Sequence, residues 1–320
     1  MPAPVALFVY RRPEHTARLL ASLKANKQSA DSTLYVFSDA PACEADRISV
    51  LEVRALLREL GGFARVILIE REENFGCAAN IIDGLNQVFW EHDRVIVVED
   101  DLNLSPHFLT YMNQALDTYR EREEIISISA ASPPPRDLGK TDWSSRDVYL
   151  APRSSPWGWA TWRDRWAGIN WELPRYSYQR WRPEWRRRMA RGGSDLLFML
   201  DDQMAGKIDS WNVRFNHAQA MAGSYSLYPR YSYVRNVGLD GSGVHCRASD
   251  RHDVKLDQAL EESLMPSDIQ PEKDLMRAVK AYHDEHLLSL LLGTIPGVRR
   301  LIRATKKRLG IDRPLLKQLD

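Results

Sequence analysis

The chain has 320 residues, enough for one large domain or two smaller ones with a real core. Its 44% apolar and 27% charged residues describe an ordinary soluble globular protein and exclude a low-complexity or disordered chain. Basic and acidic residues nearly cancel, leaving a formal charge of +1, so net charge by itself names no partner.

In chain order, "VALFVY" (5–10) is a compact apolar run that reads as a buried strand, and "PEHTARLLASLKAN" follows with apolar residues at helical spacing. The run that opens the chain has neither a charged n-region nor a small-residue cleavage site, so no signal peptide is expected. "TLYVFSDA" (33–40) is a second strand ending in Ser38 and Asp39, and the helix after it stops at Gly61 and Gly62. "ARVILIERE" (64–72) is a third strand, "GCAANIIDGLNQVFWEHD" a helix and "RVIVVEDD" a fourth strand. Strands alternating with helices imply right-handed βαβ units in a parallel sheet. Ligands bind such sheets at the carboxyl ends of the strands. Arg11–Arg12, Ser38–Asp39, Glu72–Asn74 and Glu99–Asp101 all fall there, which is the pattern of one ligand site.

Further on, Ser105 is the expected N-cap and Pro106 the first residue of a helix over "SPHFLTYMNQALDTYRE". "EIISISA" (124–130) reads as a strand, and "SPPPRDLGKTDWSSRD" as a polar surface loop. Seven of the ten tryptophans then lie between Trp157 and Trp185, with arginines crowding 175–191. "SDLLFMLDDQMAGK" and "DSWNVRFNHAQAMAG" read as helices, and the segment 255–320 returns to helix. "LLSLLLG" is too short to span a bilayer. Cys43, Cys77 and Cys246 are scattered, with no C-x-x-C, which speaks against a disulfide framework or zinc site and fits a reducing compartment.

The stretch "VIVVEDDLNL" poses the main chemical question. Driving a buried strand into three adjacent carboxylates costs several kcal/mol for each charge unless they are paired or hold a cation. A hard divalent ion answers it, because Mg²⁺ or Mn²⁺ meets only one or two protein carboxylates and takes further oxygens from a diphosphate and water. There is no Walker loop and no G-x-G-x-x-G after the first strand, which disfavours a P-loop or dinucleotide fold. G-x-S-x-G and H-E-x-x-H are also absent.

Together, "VALFVYRRPEHT", "VFSDAP", "ENFGCAANIIDGLNQVFW", "VIVVEDDLNLSPHFLTYMNQAL" and "WGWATWRDRW" resemble nucleotide-sugar glycosyltransferases of the GT-A fold. More closely, they are similar to bacterial family-2-type enzymes related to N-acetylglucosaminyltransferase I. The resemblance covers roughly residues 4–246 and is most specific in the acidic block and the helix after it. It implies a Rossmann-like, mostly parallel central sheet flanked by helices, here with a helical C-terminal extension. It also implies that Arg12 contacts the nucleotide, that Asp39 binds the uracil edge, and that Glu99 lies near the donor sugar and Asp100 near the ribose. Asp101 would bind the bridging Mn²⁺ or Mg²⁺. Asn74 joins the nucleotide-binding candidates through its strand-end position. In similar enzymes a glycine loop folds over the diphosphate. "LDGSGVHC", with Asp240, Gly241 and Gly243, makes His245 a candidate metal ligand or phosphate contact. The acceptor half is much less similar, so no acceptor follows from the resemblance.

An inverting transfer needs a base on the acceptor side. "FMLDDQMAGKIDSW" offers Asp201, Asp202 and Asp209. Asp202 is preferred over Asp201, though as neighbours they simply face different sides of a helix. Among Trp157, Trp159 and Trp162, core packing accounts for some, and one or two are candidates to stack on an acceptor sugar. A basic amphipathic stretch, "GVRRLIRATKKRLG", with Arg299, Arg300, Arg303, Lys306, Lys307 and Arg308, suits an anionic membrane surface.

The resulting expectation is a metal-dependent, inverting glycosyltransferase using a nucleoside-diphosphate sugar, by resemblance a UDP-sugar. It would act on a saccharide or lipid-linked saccharide in polysaccharide or lipopolysaccharide synthesis, in the cytoplasm or at the inner membrane face. Residues 1–105 would form the nucleotide-sugar half, 106–254 the acceptor half and 255–320 the extension. A nucleotidyltransferase is the rival enzyme, although "VYRRPEHT" lacks its glycine-rich loop. A non-catalytic nucleotide- or carbohydrate-binding relative is the rival from another class. No nucleic-acid motif accompanies the Arg/Trp segment.

Overall fold

In a computed structural model, the structure describes residues 1–238 and 254–284. The first strand, β1 (Val5–Val9), is buried throughout. Its alternation sorts two cores. Val5, Leu7 and Val9 belong to the core that includes Leu19 and Val53, while Ala6 and Phe8 belong to the one with Ile81, Leu85 and Phe215. The helices supplying those partners are α1 (Pro13–Lys24), α2 (Arg47–Arg58), α3 (Cys77–Glu91) and, late in the chain, α9 (Trp211–Ala222). Between them run β2 (Thr33–Ser38), β3 (Arg65–Glu70) and β4 (Arg94–Glu99). The four strands pair in parallel in the order β3-β2-β1-β4. Their carboxyl ends therefore share one edge, as the sequence leads one to expect.

After β4 come β5 (Leu102–Leu104), α4 (Phe108–Thr118), β6 (Ile125–Ser129), β7 (Val148–Ala151) and β8 (Trp159–Trp162). Next are α5 (Arg163–Ala167), α6 (Tyr176–Gln179), α7 (Pro183–Met189), α8 (Asp195–Met204) and α9 (Trp211–Ala222). The last described elements are β9 (Tyr225–Pro229), β10 (Val234–Asn236) and α10 (Lys273–His283). The central sheet continues from β4 through β8, β6, β9 and β7, so eight strands run unbroken across the expected boundary at residue 105. Antiparallel pairs enter only in this second half, at β4–β8, β6–β8 and β7–β9. The protein is thus mixed α/β, a mostly parallel central sheet flanked by helices. Among the described residues, no helix is long and apolar enough to cross a membrane.

Two local expectations are corrected and one strand is added. Ser105 does not cap α4. Its hydroxyl accepts from the His107 N–H at 3.2 Å and its carbonyl from the Phe108 N–H at 3.1 Å, making a turn before a helix that begins at Phe108. The proline-rich segment is not all surface, because residues 131–134 are buried. "LNL", three residues too short for an apolar pattern to register, forms β5 and pairs antiparallel with β10.

Candidate functional site

At the shared edge, the two arginines after β1 part company. Arg11 pairs with Asp46, which also accepts a 2.7 Å hydrogen bond from the Tyr10 hydroxyl. Arg12 turns the other way, to Asp101 at 3.4 Å and Asp100 at 3.8 Å. Asp100 also accepts from the Tyr10 N–H at 3.1 Å. The Asp101 carbonyl accepts from Val237 N–H at 2.8 Å, bringing the end of β10 over the cluster. At Gly238 a Cβ would come within 2.7 Å of Asp101 and 2.9 Å of the Arg12 guanidinium, so only glycine lets the chain pass there.

One arginine does not balance three carboxylates. Burial, then Asp101 and Asp100, push Glu99 up to about 8, with the Trp211 indole N–H and Arg12 opposing. Burial, then Asp101, push Asp100 to about 7, against Arg12 and the Tyr10 N–H. Asp100 and Asp101 side chains still keep 13% and 20% of their surface in reach of solvent. This is a cleft that favours positive charge and remains open to a ligand.

The opposite wall is the N-terminus of α3 with the segment before α9. Asp209 accepts from the Ala78 N–H at 3.0 Å, and its carboxylate lies where a Cβ on Gly76 would sit, 2.8 Å away. Gly76 holds φ of +75°, which only glycine adopts without strain. Between Asp209 and the acidic triplet lies Cys77. A helix N-terminus ordinarily lowers a thiol pKa. Cys77 keeps an exposed side chain, yet desolvation by the surrounding walls, followed by Glu99, Asp209, Asp100 and Asp101, raises its pKa well above the usual range. Asp209, Cys77 and Trp211 therefore belong to the same cleft as the triplet.

Asp39 is tied to the turn before α3. It is buried, and its oxygens accept from Ala40 N–H (2.9 Å), Phe75 N–H (2.9 Å), Gly76 N–H (3.0 Å) and the Asn74 amide (3.2 Å). Asn74 also donates to the Ala40 carbonyl at 2.7 Å. The pair folds the 74–76 turn and thereby sets the start of α3. Burial raises the Asp39 pKa, even though three backbone N–H groups and Arg71 pull it down.

Asp201 and Asp202 both sit on α8. Asp201 accepts from the Tyr176 hydroxyl and pairs with Arg180 at 3.1 Å. Asp202 is buried and pairs with Lys207 at 3.3 Å. Asp209, in contrast, shares the cleft of the triplet. His245 and the glycine loop lie outside the described residues, as does the basic stretch 299–309.

Beside the cleft is a cavity of about 340 Å³ lined by Trp157, Ser132, Arg153, Asn212, Asn236 and Tyr282, among others. Asn212 follows Trp211 on α9. Asn236 accepts from the N–H of Gly238, the residue beside Asp101, at 2.8 Å. Arg153 holds Asp195 in a two-pronged pair at 2.8 and 2.9 Å in its wall. Of the three tryptophans of interest, Trp159 and Trp162 are core residues of β8, and Trp159 stacks on Trp211 at 4.5 Å. Trp157 alone of the three lines the cavity.

A divalent ion fits these donors. Among the described residues, no three His, Cys, Asp or Glu side chains form a cage. The open carboxylates beside Arg12 match an ion held by one or two carboxylates that completes its shell with phosphate oxygens.

No family model matches the sequence, and no curated protein matches it. Solved structures similar to it include a mannosyltransferase from Pyrobaculum calidifontis in complex with GDP-Man and Mn²⁺. It has 16% identity and a TM-score of 0.38, over 69% of this chain and 71% of that one. TarS of S. aureus has 16% identity and a TM-score of 0.31, over 48% of this chain and a quarter of TarS (25%). A TarS 1–349 structure in complex with UDP has 17% identity and a TM-score of 0.33, over 50% and 46% of the two chains.

Proposed function

We propose that the protein is a divalent-metal-dependent glycosyltransferase that takes a nucleoside-diphosphate sugar, UDP-linked in the first instance, and inverts the anomeric centre on transfer to a saccharide. The observation that supports this reading best is the Glu99–Asp100–Asp101 cluster at the parallel strand ends, where burial and mutual repulsion raise the pKa of Glu99 and Asp100 and so favour a cation beside them. Asp101, with Asp100 beside it, would hold Mn²⁺ or Mg²⁺, and the ion would neutralise charge on the departing diphosphate. Arg12 is placed to meet the same diphosphate. Asp39 and Asn74 shape the nucleotide side indirectly, through the turn before α3.

The acceptor, free or lipid-linked, would enter the cavity beside the cleft, with its ring against Trp157 and its hydroxyls facing Asn212 and Asn236. The base would take the acceptor hydroxyl proton. Asp209 is the carboxylate of choice, because it shares the cleft, while Asp201 is held by Tyr176 and Arg180 and Asp202 pairs with Lys207.

The test is incubation with UDP- and GDP-sugars, with and without Mn²⁺, and analysis of the products. Release of nucleoside diphosphate supports the reading. Release of pyrophosphate would identify a nucleotidyltransferase instead, and tight binding without turnover on a broad acceptor panel a non-catalytic relative.

A further inference from the structure

Residues 175–191 carry seven arginines and one acid, Glu184. The structure turns this stretch into one outward face. Beneath it, Tyr176, Trp185 and Met189 are buried against Leu196, Leu200 and Val213 of α8 and α9. Above it, Tyr178 and Trp181 stand 70% and 64% exposed. Tyr178 belongs to α6 and Trp181 to the turn that follows it. Arg175 precedes Tyr178 by three residues, and Arg182 directly follows Trp181.

The face is built deliberately. Asp201 holds Arg180 at 3.1 Å, and Arg180 lies over the rings of both Tyr176 (5.3 Å) and Trp181 (4.7 Å). An ion pair from α8 thus props an exposed tryptophan outward. Arg175, Arg182 and Arg187 are exposed, and no described carboxylate lies within ion-pair distance of them. Exposed aromatics beside unneutralised arginines require a partner that is anionic and has an apolar layer just behind its charge.

We propose that the α6–α7 face docks the protein on an anionic lipid bilayer, with Tyr178 and Trp181 seated at headgroup depth and Arg175, Arg182 and Arg187 on lipid phosphates. Tyrosine and tryptophan rings favour that depth, and basic side chains add attraction to anionic lipid. Single-stranded nucleic acid is less suited, since Arg180 already covers one face of the Trp181 ring that a base would need. The inference does not depend on the proposed reaction.

The experiment is co-sedimentation of the full chain with vesicles of phosphatidylcholine alone and of an equimolar phosphatidylcholine–phosphatidylglycerol mixture, with a single-stranded RNA arm in parallel. Binding to the anionic vesicles, lost in high salt and negligible on the neutral ones, is expected. Replacing Arg175, Arg182 and Arg187 by Ser should weaken it about a hundredfold, from roughly 1 kcal/mol for each basic residue. Y178S/W181S should weaken it several-fold with charge intact. Thermal melting of both variants checks that they fold. If the folded arginine variant binds like the wild type, another segment makes the contact and the inference falls. It falls equally if the face binds RNA and not vesicles, or if no anionic vesicle binds.

Discussion

The Trp211 indole N–H faces the Glu99 carboxylate, linking the first turn of α9 to the end of β4. It favours the charged form, so it opposes the burial and repulsion that raise the Glu99 pKa. Trp211→Phe keeps most of the ring but loses the donor. The Glu99 pKa should rise further, and Mn²⁺-dependent nucleotide binding should weaken about tenfold near neutral pH, in line with roughly 1.5–3 kcal/mol for hydrogen bonds to charged groups. Isothermal titration at two pH values checks it, with the loss smaller at the higher pH.

Metal-free stability should fall as pH rises from about 5 to 8. Glu99 and Asp100 bind protons more tightly folded than unfolded, with folded values of about 8 and about 7. Their contribution is therefore fully present below the ordinary carboxylate range and is lost as pH climbs through those values. Glu99→Gln and Asp100→Asn should each flatten the profile and raise Tm at pH 8, by about 2–4 °C for each kcal/mol of repulsion removed. Mn²⁺ with UDP should flatten it in the wild type. Melting curves across that range, with and without Mn²⁺, are the measurement.

Asp209→Asn should leave donor affinity intact and reduce transfer by about 10²–10⁴-fold. Asparagine retains an oxygen for the Ala78 N–H, so the start of α3 should survive. Asp202→Asn should chiefly disturb the Lys207 pair. Turnover at saturating donor separates the two: an active Asp209→Asn beside an inactive Asp202→Asn would return the base to α8.

Asp39→Ala should behave as a folding variant. It leaves four N–H donors without their acceptor, each costing about 1–3 kcal/mol where burial is complete. The urea midpoint without nucleotide should drop, and nucleotide affinity should fall with it. A variant with an unchanged midpoint and altered UDP-over-CDP preference would give Asp39 back its role on the base edge.

How far the sequence reached follows from pattern length. β1 to β4 were legible because each is an apolar run bounded by polar residues and followed by a helical period. The triplet was legible because three carboxylates after such a run demand an explanation. The partners of Asp39, Asn74 to Gly76, leave no mark in the sequence, because only the β2–β3 pairing and the turn beyond bring them to it. Asp202 looked better than Asp209 because an acid pair after "LLFML" stands out in sequence. The tie of Asp209 to Ala78 spans two distant segments and leaves no local mark. Trp211 carried a signal that went unread, a tryptophan two residues after an aspartate at the start of a helix. Trp159 and Trp162 could be told from Trp157 only once β8 was placed inside the sheet.

The short pairing of β5 with β10 also fixes when the site can exist. Leu102–Leu104 must wait for Val234–Asn236, and Asp101 must wait for Val237 and Gly238. During synthesis the first four strands emerge early and can associate locally, whereas this closure joins segments far apart in the chain and belongs among the slow, late contacts. A nascent or truncated chain ending before residue 234 would carry all three carboxylates and no cover over them. The cleft around the triplet is thus complete only when the second half of the chain has folded back on the first.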